Sequence, residues 1–577
     1  MIHMKSINCI IVCCLLLTGC AQTPVRTVPE AVPQPVETPK PPVEAVLPAV
    51  ELSDDLLYEF LLTEIASQRG HNALAVESSA DLAQKTRDPR LARRAAQLAF
   101  ESGDMNRAID SFKLWLEVEP GSQLGQRMLA SLLLRGGKLD EAQQVFSKLL
   151  EDDKANLGTD FMQLYQMSAP YPDKQASLNW LRELANPYPQ VAEAHWAVAQ
   201  LALQAGSDPL ALTEVRKARS LRPDLDLAAS LEAQLLQKSE PQQSLETLRR
   251  YLEDYPEAQE IRLQYARLLL EQKQLELSRA QFQRIASASP DNAELAFAIA
   301  LISLQLNDLP GAEAQLLESL AKGKKDQDTV HYFLAQLAEA KENPQEALAH
   351  YRLVAGGDHL FGSHLRIAFL LNKLGKLDEA REYLQQSSAE NNQQRVQLLL
   401  VEAQMLREAK RQQEALEVLQ QGLVKLPNHP DLLYETGMLA DRLGKTELFE
   451  QLMRRIIQNN PDYAQAYNAL GYSFLERNER IPEALTLVEK ALQLAPEDAA
   501  IMDSVGWGYY RSDRLDESLK LLRRAFKSNQ DPEIAAHLGE VLWLHGEHEE
   551  ARQLLQETLK THSGNVQLLQ IIKKYLP

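Results

Sequence analysis

Residues 468–500 read NALGYSFLERNERIPEALTLVEKALQLAPEDAA. Leu470 and Gly471 lie in a first run of helix-forming residues, Ala491 lies in a second run, and Pro496 follows that run. Glycine inside a helix costs about 1 kcal/mol relative to alanine, so Gly471 indicates a point where another helix lies too close for a side chain. The proline stops the second helix. This stretch therefore predicts two helices that pack closely against each other.

The same pattern recurs along most of the chain with a period of about 34 residues. The small residue of the first helix recurs as Gly437, Gly471, Gly506 and Gly539. The alanine of the second helix recurs as Ala108, Ala142, Ala176, Ala211, Ala312, Ala347, Ala380 and Ala415. Turn glycines separate the two helices at Gly103, Gly137, Gly375 and Gly444, and prolines close the unit at Pro120, Pro223, Pro256, Pro290, Pro427, Pro461 and Pro496. Helix pairs of this kind bury their apolar stripes only against neighbouring pairs, so the period predicts a solenoid of about fifteen units.

Taken in order, the Trp or Tyr, Leu-Gly, turn glycine, alanine, apolar residue and proline resemble the tetratricopeptide-repeat signature. The resemblance implies an all-α fold, namely a right-handed α-solenoid of about fifteen helical hairpins over residues 53–565. A C-terminal capping helix is predicted over residues 566–577, where several apolar residues are followed by Lys573 and Lys574, which suit a helix end. Residues 157–190 contain four prolines, and we expect this degenerate unit to bend the superhelix or to break its regularity.

Composition and charge favour the same fold and disfavour some functions. The chain is 45% hydrophobic but only 6% aromatic, which suits helices lined by Leu and Ala. Asp and Glu exceed Lys and Arg by 19, and such an acidic surface repels nucleic-acid backbones. All four cysteines lie within the first twenty residues, so the remainder of the chain forms neither a disulfide nor a thiolate metal site.

The amino terminus is typical of an exported lipoprotein. Lys5 precedes a short apolar run, which predicts a signal peptide over residues 1–19. Leu17-Thr18-Gly19-Cys20 resembles the lipobox, which implies lipidation of Cys20 after cleavage. Residues 20–52 are rich in proline and are predicted to form an extended spacer. Ala21 follows the cysteine in place of an acidic residue, and by the family resemblance we expect attachment to the outer membrane, facing the periplasm.

Sequence motifs for catalysis or cofactor binding are missing. The chain has no glycine-rich phosphate loop, no His-Glu-x-x-His pair and no Gly-x-Ser-x-Gly elbow. The segment from His545 to His548 brings two imidazoles and a carboxylate together, but Gly546 occupies the turn of its repeat. We interpret this segment as a solvated turn and not as a metal site. The sequence therefore predicts a protein that is not an enzyme and that needs no cofactor or metal.

Aromatic residues mark a candidate binding surface on the first helices of the repeats. With the helix glycine as the eighth position, five aromatic residues fall at the fifth, ninth and twelfth positions, which should face inward: Tyr434, Tyr472, Trp507, Tyr510 and Trp543. Amphipathic aromatics are common anchors in protein interfaces. An alternative is that the same side chains pack between the repeats. Arg442, Glu476 and Arg511 on this face have mixed sign, which suits a peptide or folded protein partner.

The amino-terminal part of the body carries a second resemblance. The lipobox, the spacer, the segment 55–70 and Lys85-Thr86-Arg87-Asp88 are similar to one proteobacterial lipoprotein family. The resemblance implies an outer-membrane adaptor that presents peptidoglycan hydrolases to a periplasmic carboxyl-terminal processing protease. The alternative is a scaffold for assembly of an exopolysaccharide or outer-membrane machine. Both functions require protein partners and a membrane reached through the lipid anchor, and neither involves nucleic acid.

Overall fold

The computed structural model describes residue 48 and residues 50–576, which form thirty-one α-helices and no strand. The predicted signal peptide, Cys20 and most of the spacer lie outside these residues. The chain divides into two compact units at Gly323 and Lys324. The described helices of the first unit are α1 (Asp54–Gln68), α2 (Asn72–Thr86), α3 (Pro89–Glu101), α4 (Met105–Val118), α5 (Gln123–Arg135), α6 (Leu139–Asp152), α7 (Leu157–Ser168), α8 (Lys174–Ala185), α9 (Ala192–Gln204), α10 (Asp208–Leu221), α11 (Asp226–Leu236), α12 (Pro241–Asp254), α13 (Gln259–Glu271), α14 (Leu275–Ala288), α15 (Ala293–Gln305) and α16 (Leu309–Ala321).

The second unit continues the same alternation of helices and ends with an unpaired helix. Its members are α17 (Gln327–Ala340), α18 (Pro344–Tyr351), α19 (Leu360–Lys373), α20 (Leu377–Gln386), α21 (Asn392–Glu408), α22 (Gln412–Lys425), α23 (Pro430–Arg442), α24 (Thr446–Asn459), α25 (Ala464–Arg477), α26 (Ile481–Leu494), α27 (Ala499–Tyr510), α28 (Leu515–Ser528), α29 (Pro532–His545), α30 (His548–Thr561) and α31 (Val566–Tyr575). In the described part of the chain fifteen successive helix pairs precede α31, which confirms the all-α fold and the predicted number of repeats.

The boundaries of the hairpins follow from local chemistry. Each of the seven predicted prolines lies two residues beyond the end of a second helix, which confirms their role as stops. The four predicted turn glycines all have positive φ, between 70° and 78°. Six hairpins place a residue other than glycine at this turn with φ between 56° and 61°, namely Lys273, Asn307, Glu342, Lys410, Asn478 and Asp513. Because this conformation is unfavourable for a residue with a side chain, packing of the two helices must fix the turn where glycine is absent.

The predicted close contact at the helix glycines is confirmed. A Cβ atom on Gly471 would lie 2.7 Å from Val488 Cγ1 and 2.9 Å from the carbonyl oxygen of Ala484. Both atoms belong to α26, the second helix of the same hairpin. A Cβ atom on Gly506 would likewise lie 2.7 Å from Leu522 Cγ. The glycines therefore allow the two helices of a pair to approach more closely than alanine would permit.

The small position of the second helix is occupied by serine in several hairpins. Seven of the eight predicted alanines are at most 1% exposed, but Ala176 is only half-buried and the adjacent Ser177 is fully buried. The prediction for Ala176 was thus wrong by one residue. Ser244 and Ser278 take the same place in α12 and α14, and their hydroxyls donate to carbonyl oxygens of the paired first helix at 2.6 Å and 2.7 Å. A sequence pattern that requires alanine at this position therefore does not identify these hairpins.

The degenerate unit breaks the regular packing. In most hairpins the two helices pack chiefly on each other, whereas α7 packs chiefly on α9 and only lightly on α8. Phe161 on α7 is fully buried and its ring lies 5.7 Å from that of Tyr188 in the proline-rich loop before α9. The prolines thus lengthen the connections and let α7 reach past its own partner, which is the predicted loss of regularity.

The last helix packs on the final hairpin. α31 contacts α29 and α30, and its Leu568 is fully buried in a cluster with Ala536 and Leu555. Among the residues that the structure describes, no helix has the length and apolar character needed to cross a bilayer.

Candidate functional site

The aromatic residues predicted to bind lie on the first helices of the second unit. We call the surface carried by α23, α25, α27 and α29 the first-helix face. α25 contacts α27 and α27 contacts α29, so side chains of successive first helices meet there. The structure brings Tyr472, Trp507 and Tyr510 together with His537, and we call these four residues the aromatic cluster.

Trp507 is the centre of the aromatic cluster. Its ring stacks on His537 with centroids 4.2 Å apart and planes inclined by 21°, and Tyr510 lies 4.8 Å away. The ring of Tyr472 lies 6.2 Å from His537. Trp507 is buried, at 7% exposure, whereas Tyr472 and Tyr510 are half-buried. Trp507 therefore packs between repeats, and the two tyrosines keep part of their rings at the surface.

A buried pair formed by Asp503 and His537 packs against the indole at the centre of the aromatic cluster. His537 Nδ1 lies 2.9 Å and 3.0 Å from the two carboxylate oxygens of Asp503, and both residues are at most 5% exposed. Burial by itself lowers the pKa of His537, but the charge and hydrogen bond of Asp503 outweigh it, so the pKa of His537 lies above its ordinary value. The pair links α27 to α29 and holds the imidazole under the indole.

Sequence reasoning missed Asp503 and His537. They are 34 residues apart, one repeat period, and each directly follows a run of apolar residues in its helix, 499–502 and 534–536. A single polar residue at the same depth of two successive first helices is the signal that could have identified them, because buried charges require partners.

Carboxylates surround the exposed edges of the aromatic rings. The hydroxyl of Tyr472 donates to Glu533 at 2.7 Å, and that of Tyr510 donates to Glu540 at 3.3 Å. Burial first, and then the charge of Glu533, raises the pKa of Tyr472 far above its ordinary value. Burial and Glu540 likewise raise the pKa of Tyr510. The phenols stay protonated at physiological pH and act as hydrogen-bond donors to acids.

The two remaining predicted residues lie at opposite ends of this surface. Tyr434 on α23 packs against Tyr463, with ring centroids 5.8 Å apart, and stays outside the aromatic cluster. Burial, assisted by Asp431, raises the pKa of Tyr463 to about 12. Trp543 on α29 lies 5.8 Å from the ring of Tyr575, so it meets the last helix. The predicted set is therefore one central cluster with an aromatic pair on either side.

His545 and His548 lie beside this face, at the turn between α29 and α30. Within residues 50–576 no group of three or more His, Cys, Asp or Glu side chains has an arrangement that could hold a metal ion. His545 interacts with Asp516 and Glu547, each at 3.0 Å, and His548 packs instead on Trp543 at 4.4 Å. The two imidazoles of this segment thus have separate neighbours.

Stacked helical hairpins with an aromatic and acidic face define a helical-repeat protein of the class that binds other proteins. The chain belongs to the tetratricopeptide-repeat family. One tetratricopeptide-repeat model matches residues 297–358, 370–430, 434–499 and 506–566, and a second matches residues 235–302. The five predicted aromatic residues of the first-helix face all lie within the matched segments. The matched families describe repeats and indicate no catalytic activity.

One relative covers nearly the whole chain. The TPR repeat-containing protein PA4667 of Pseudomonas aeruginosa is 32% identical over 528 residues, which is 91% of this chain and 89% of the relative. The human Protein O-mannosyl-transferase TMTC1 is 23% identical over 155 residues, which is 26% of this chain and 18% of that protein. The chain thus matches only a small part of the human transferase.

The similarity to solved structures is partial. TTC0263, a thermophilic TPR protein of Thermus thermophilus, is 22% identical with a TM-score of 0.29, and covers 31% of this chain and 98% of its own. MamA from Desulfovibrio magneticus RS-1 is 19% identical with a TM-score of 0.26, and covers 30% of this chain and 96% of its own. Superpositions this limited say nothing about the binding face.

Proposed function

We propose that this chain is a non-catalytic envelope lipoprotein that binds proteins through its repeats and acts as an adaptor. The observation that carries the proposal is the first-helix face, where half-buried tyrosines stand on a rigid, buried Asp503–His537 pair. Rigid aromatic side chains with one polar edge contribute strongly to protein interfaces because little conformational entropy is lost on binding.

The finer proposal concerns what the adaptor holds. Following the resemblance of residues 55–70 and 85–88, we infer that one part of the chain docks a periplasmic carboxyl-terminal processing protease and another part holds peptidoglycan hydrolases. Binding both to one chain replaces a bimolecular encounter by an intramolecular one, with effective concentrations of about millimolar for flexible tethers. Proteolysis would then be stimulated by proximity, with all catalytic groups supplied by the protease.

The lipid anchor is a separate part of the proposal. Lipidated Cys20 would confine the adaptor to the periplasmic face of the outer membrane, and several acyl chains give an attachment that does not release spontaneously. Metabolic labelling with a radioactive fatty acid should mark the native chain and leave Cys20→Ser unlabelled. Density fractionation should place the labelled chain in the outer membrane, and equal labelling of both chains would refute the anchor.

Affinity capture from detergent-solubilised envelopes tests the adaptor. The native chain should retain a protease together with cell-wall hydrolases, identified by mass spectrometry. Tyr510→Ala should weaken binding of at least one partner about 5- to 30-fold, the effect of removing an interface tyrosine that contributes about 1–2 kcal/mol. Recovery of exopolysaccharide or outer-membrane assembly components in place of these partners would refute the protease adaptor and favour the scaffold.

The chain offers a matched control in the neighbouring residue. Tyr509 is also half-buried, but its ring lies beneath Arg514, 4.0 Å from the guanidinium carbon, and it stands outside the aromatic cluster. Tyr509→Ala removes the same side chain from the same helix and should leave capture unchanged. Equal loss of partners in both variants would show that capture does not depend on the first-helix face.

A further inference from the structure

The last helix of the chain shows what chemistry the first-helix face accepts. Lys574 of α31 makes an ion pair with Glu540 at 2.9 Å, and Tyr575 donates to the same carboxylate at 3.0 Å. The Tyr575 ring packs 5.8 Å from Trp543, and the ammonium of Lys574 lies 4.8 Å from the Tyr575 ring centroid. A lysine followed by an aromatic residue thus occupies one acidic and aromatic part of the face.

A second cation of the chain lies on the same surface. The guanidinium carbon of Arg511 lies 6.0 Å from the ring centroid of Trp507. Aromatic faces attract cations through their negative quadrupole, and a nearby carboxylate strengthens the attraction. The face therefore already holds one lysine and one arginine of its own chain.

One part of the same surface has the acids and the ring but no cation. Glu533 accepts a hydrogen bond from Tyr472 and makes no ion pair with any residue in the described range. Glu476 is exposed, lies one helical turn after Tyr472 on the same helix, α25, and makes no ion pair in that range. Asp503, by contrast, is already paired with His537. Tyr472, Glu476 and Glu533 thus form an acidic subsite that resembles the one occupied by Lys574, with the cation missing.

The contacts of Lys574 and Tyr575 indicate that the missing partner is a polypeptide. Two consecutive residues of one chain both contact the carboxylate of Glu540, and the ring of Tyr575 packs 5.8 Å from that of Trp543. A small cation would supply the charge but no ring.

We propose that the subsite of Tyr472, Glu476 and Glu533 binds a partner protein segment in which a Lys or Arg lies next to an aromatic or apolar residue. The cation pairs with Glu476 and Glu533 over the Tyr472 ring, as Lys574 pairs with Glu540. The net charge of −19 steers basic segments towards the chain in general, and the subsite selects where they dock. This inference rests on the proposed protein-binding function and states the chemistry of the partner.

Fluorescence anisotropy with two labelled peptides tests the inference on the full chain. The basic probe contains four Lys-Tyr pairs separated by glycines, and the acidic probe has Glu in place of every Lys. We expect the basic probe to bind at least tenfold more tightly. Glu476→Gln with Glu533→Gln should weaken that binding about tenfold, because glutamine keeps the hydrogen-bond acceptor for Tyr472 and removes both charges.

A matched control separates the subsite from general charge attraction. Glu549→Gln with Glu557→Gln removes two exposed charges from α30 and should change the affinity less than twofold. Equal weakening by the two double variants, or equal binding of the two probes, would overturn the inference. Capture of the envelope partners by the Glu476→Gln, Glu533→Gln chain at native levels would also overturn it and would leave the proposed function intact. Failure of the native chain to capture any partner would instead refute the proposed function.

Discussion

Removal of the carboxylate of Asp503 should destabilise the last hairpins of the second unit by an amount that depends on pH. Asp503→Ala leaves the His537 imidazole, which is 3% exposed, without its partner beneath the Trp507 ring. A buried polar group that loses its hydrogen-bond partner costs about 1–3 kcal/mol. A buried charge that loses its counter-ion costs about 3–5 kcal/mol.

The direction of the pH dependence follows from the pKa of His537. In the native chain this pKa is raised by Asp503, so the stabilisation from the pair is fully present below the ordinary value of about 6.5 and is lost as pH rises through the raised value. In the variant, burial lowers the pKa of His537 and only the charges of Glu533 and Glu476 still raise it. Its pKa therefore falls below that in the native chain, and protonation stabilises the fold less. The loss of stability should therefore be about 1–3 kcal/mol at pH 8 and should grow as pH falls to 6.

Urea unfolding followed by tryptophan fluorescence measures this loss. Trp507 stacks on His537, so subtracting the signal of the same chains carrying Trp507→Phe isolates the local transition. Asp516→Ala is the matched control, because Asp516 also binds a histidine, His545 at 3.0 Å, but its side chain is 92% exposed. The control should change the midpoint very little. The prediction would be refuted if Asp503→Ala lost no more free energy of unfolding than the control. It would also be refuted if that loss became smaller from pH 8 to pH 6.

Two further predictions concern packing and the first unit. Gly471→Ala should lower the free energy of unfolding by about 1–2 kcal/mol, since the new methyl meets a backbone carbonyl oxygen of α26 at 2.9 Å and helix propensity offsets only about 1 kcal/mol. Gly437→Ala should cost less because the movable end of Met453 can yield, and equal urea midpoints for the two variants would contradict this. The hydrogen bond between His195 and Glu214, at 2.6 Å, raises the pKa of His195, so its stabilisation is present below about pH 6.5 and fades as pH rises through the raised pKa. His195→Gln should speed amide exchange in α9 and α10 more at pH 6 than at pH 8, relative to the native chain, and a reversed ratio would exclude this role.

Much of the fold was predictable because the same helix contacts recur in successive repeats and require the same small residues at the same positions. Gly471 and Gly506 occupy the same place in successive first helices because each faces a second helix at the same distance. The prolines end the second helices at the same offset for an equally local reason. Where packing tolerates two solutions the sequence was less informative, since Ser177 fills the space of an alanine by donating its hydroxyl to the carbonyl oxygen of Ser168 at 2.9 Å.

The candidate site was predictable only in outline. The helical period placed Tyr472 and Tyr510 on the binding surface of the first helices. It placed Trp507 there as well, although the structure buries this side chain. Its burial depends on His537, which comes from the next hairpin and stacks on the indole. A periodic pattern specifies which face of its own helix a residue occupies, whereas its exposure depends on the size of the side chains opposite it.

The sequence by itself thus determined the number of hairpins, their boundaries and the set of first-helix positions, because these depend on contacts within a repeat and between adjacent repeats. The tertiary structure alone decided that Asp503 meets His537, that Glu533 receives the Tyr472 hydroxyl from 61 residues away, and that Lys574 reaches Glu540. Each of these contacts joins polar side chains of two different repeats. The repeat period does not predict these contacts. Only the helices and their small packing residues recur with the period, whereas the polar side chains that meet between repeats differ from one repeat to the next.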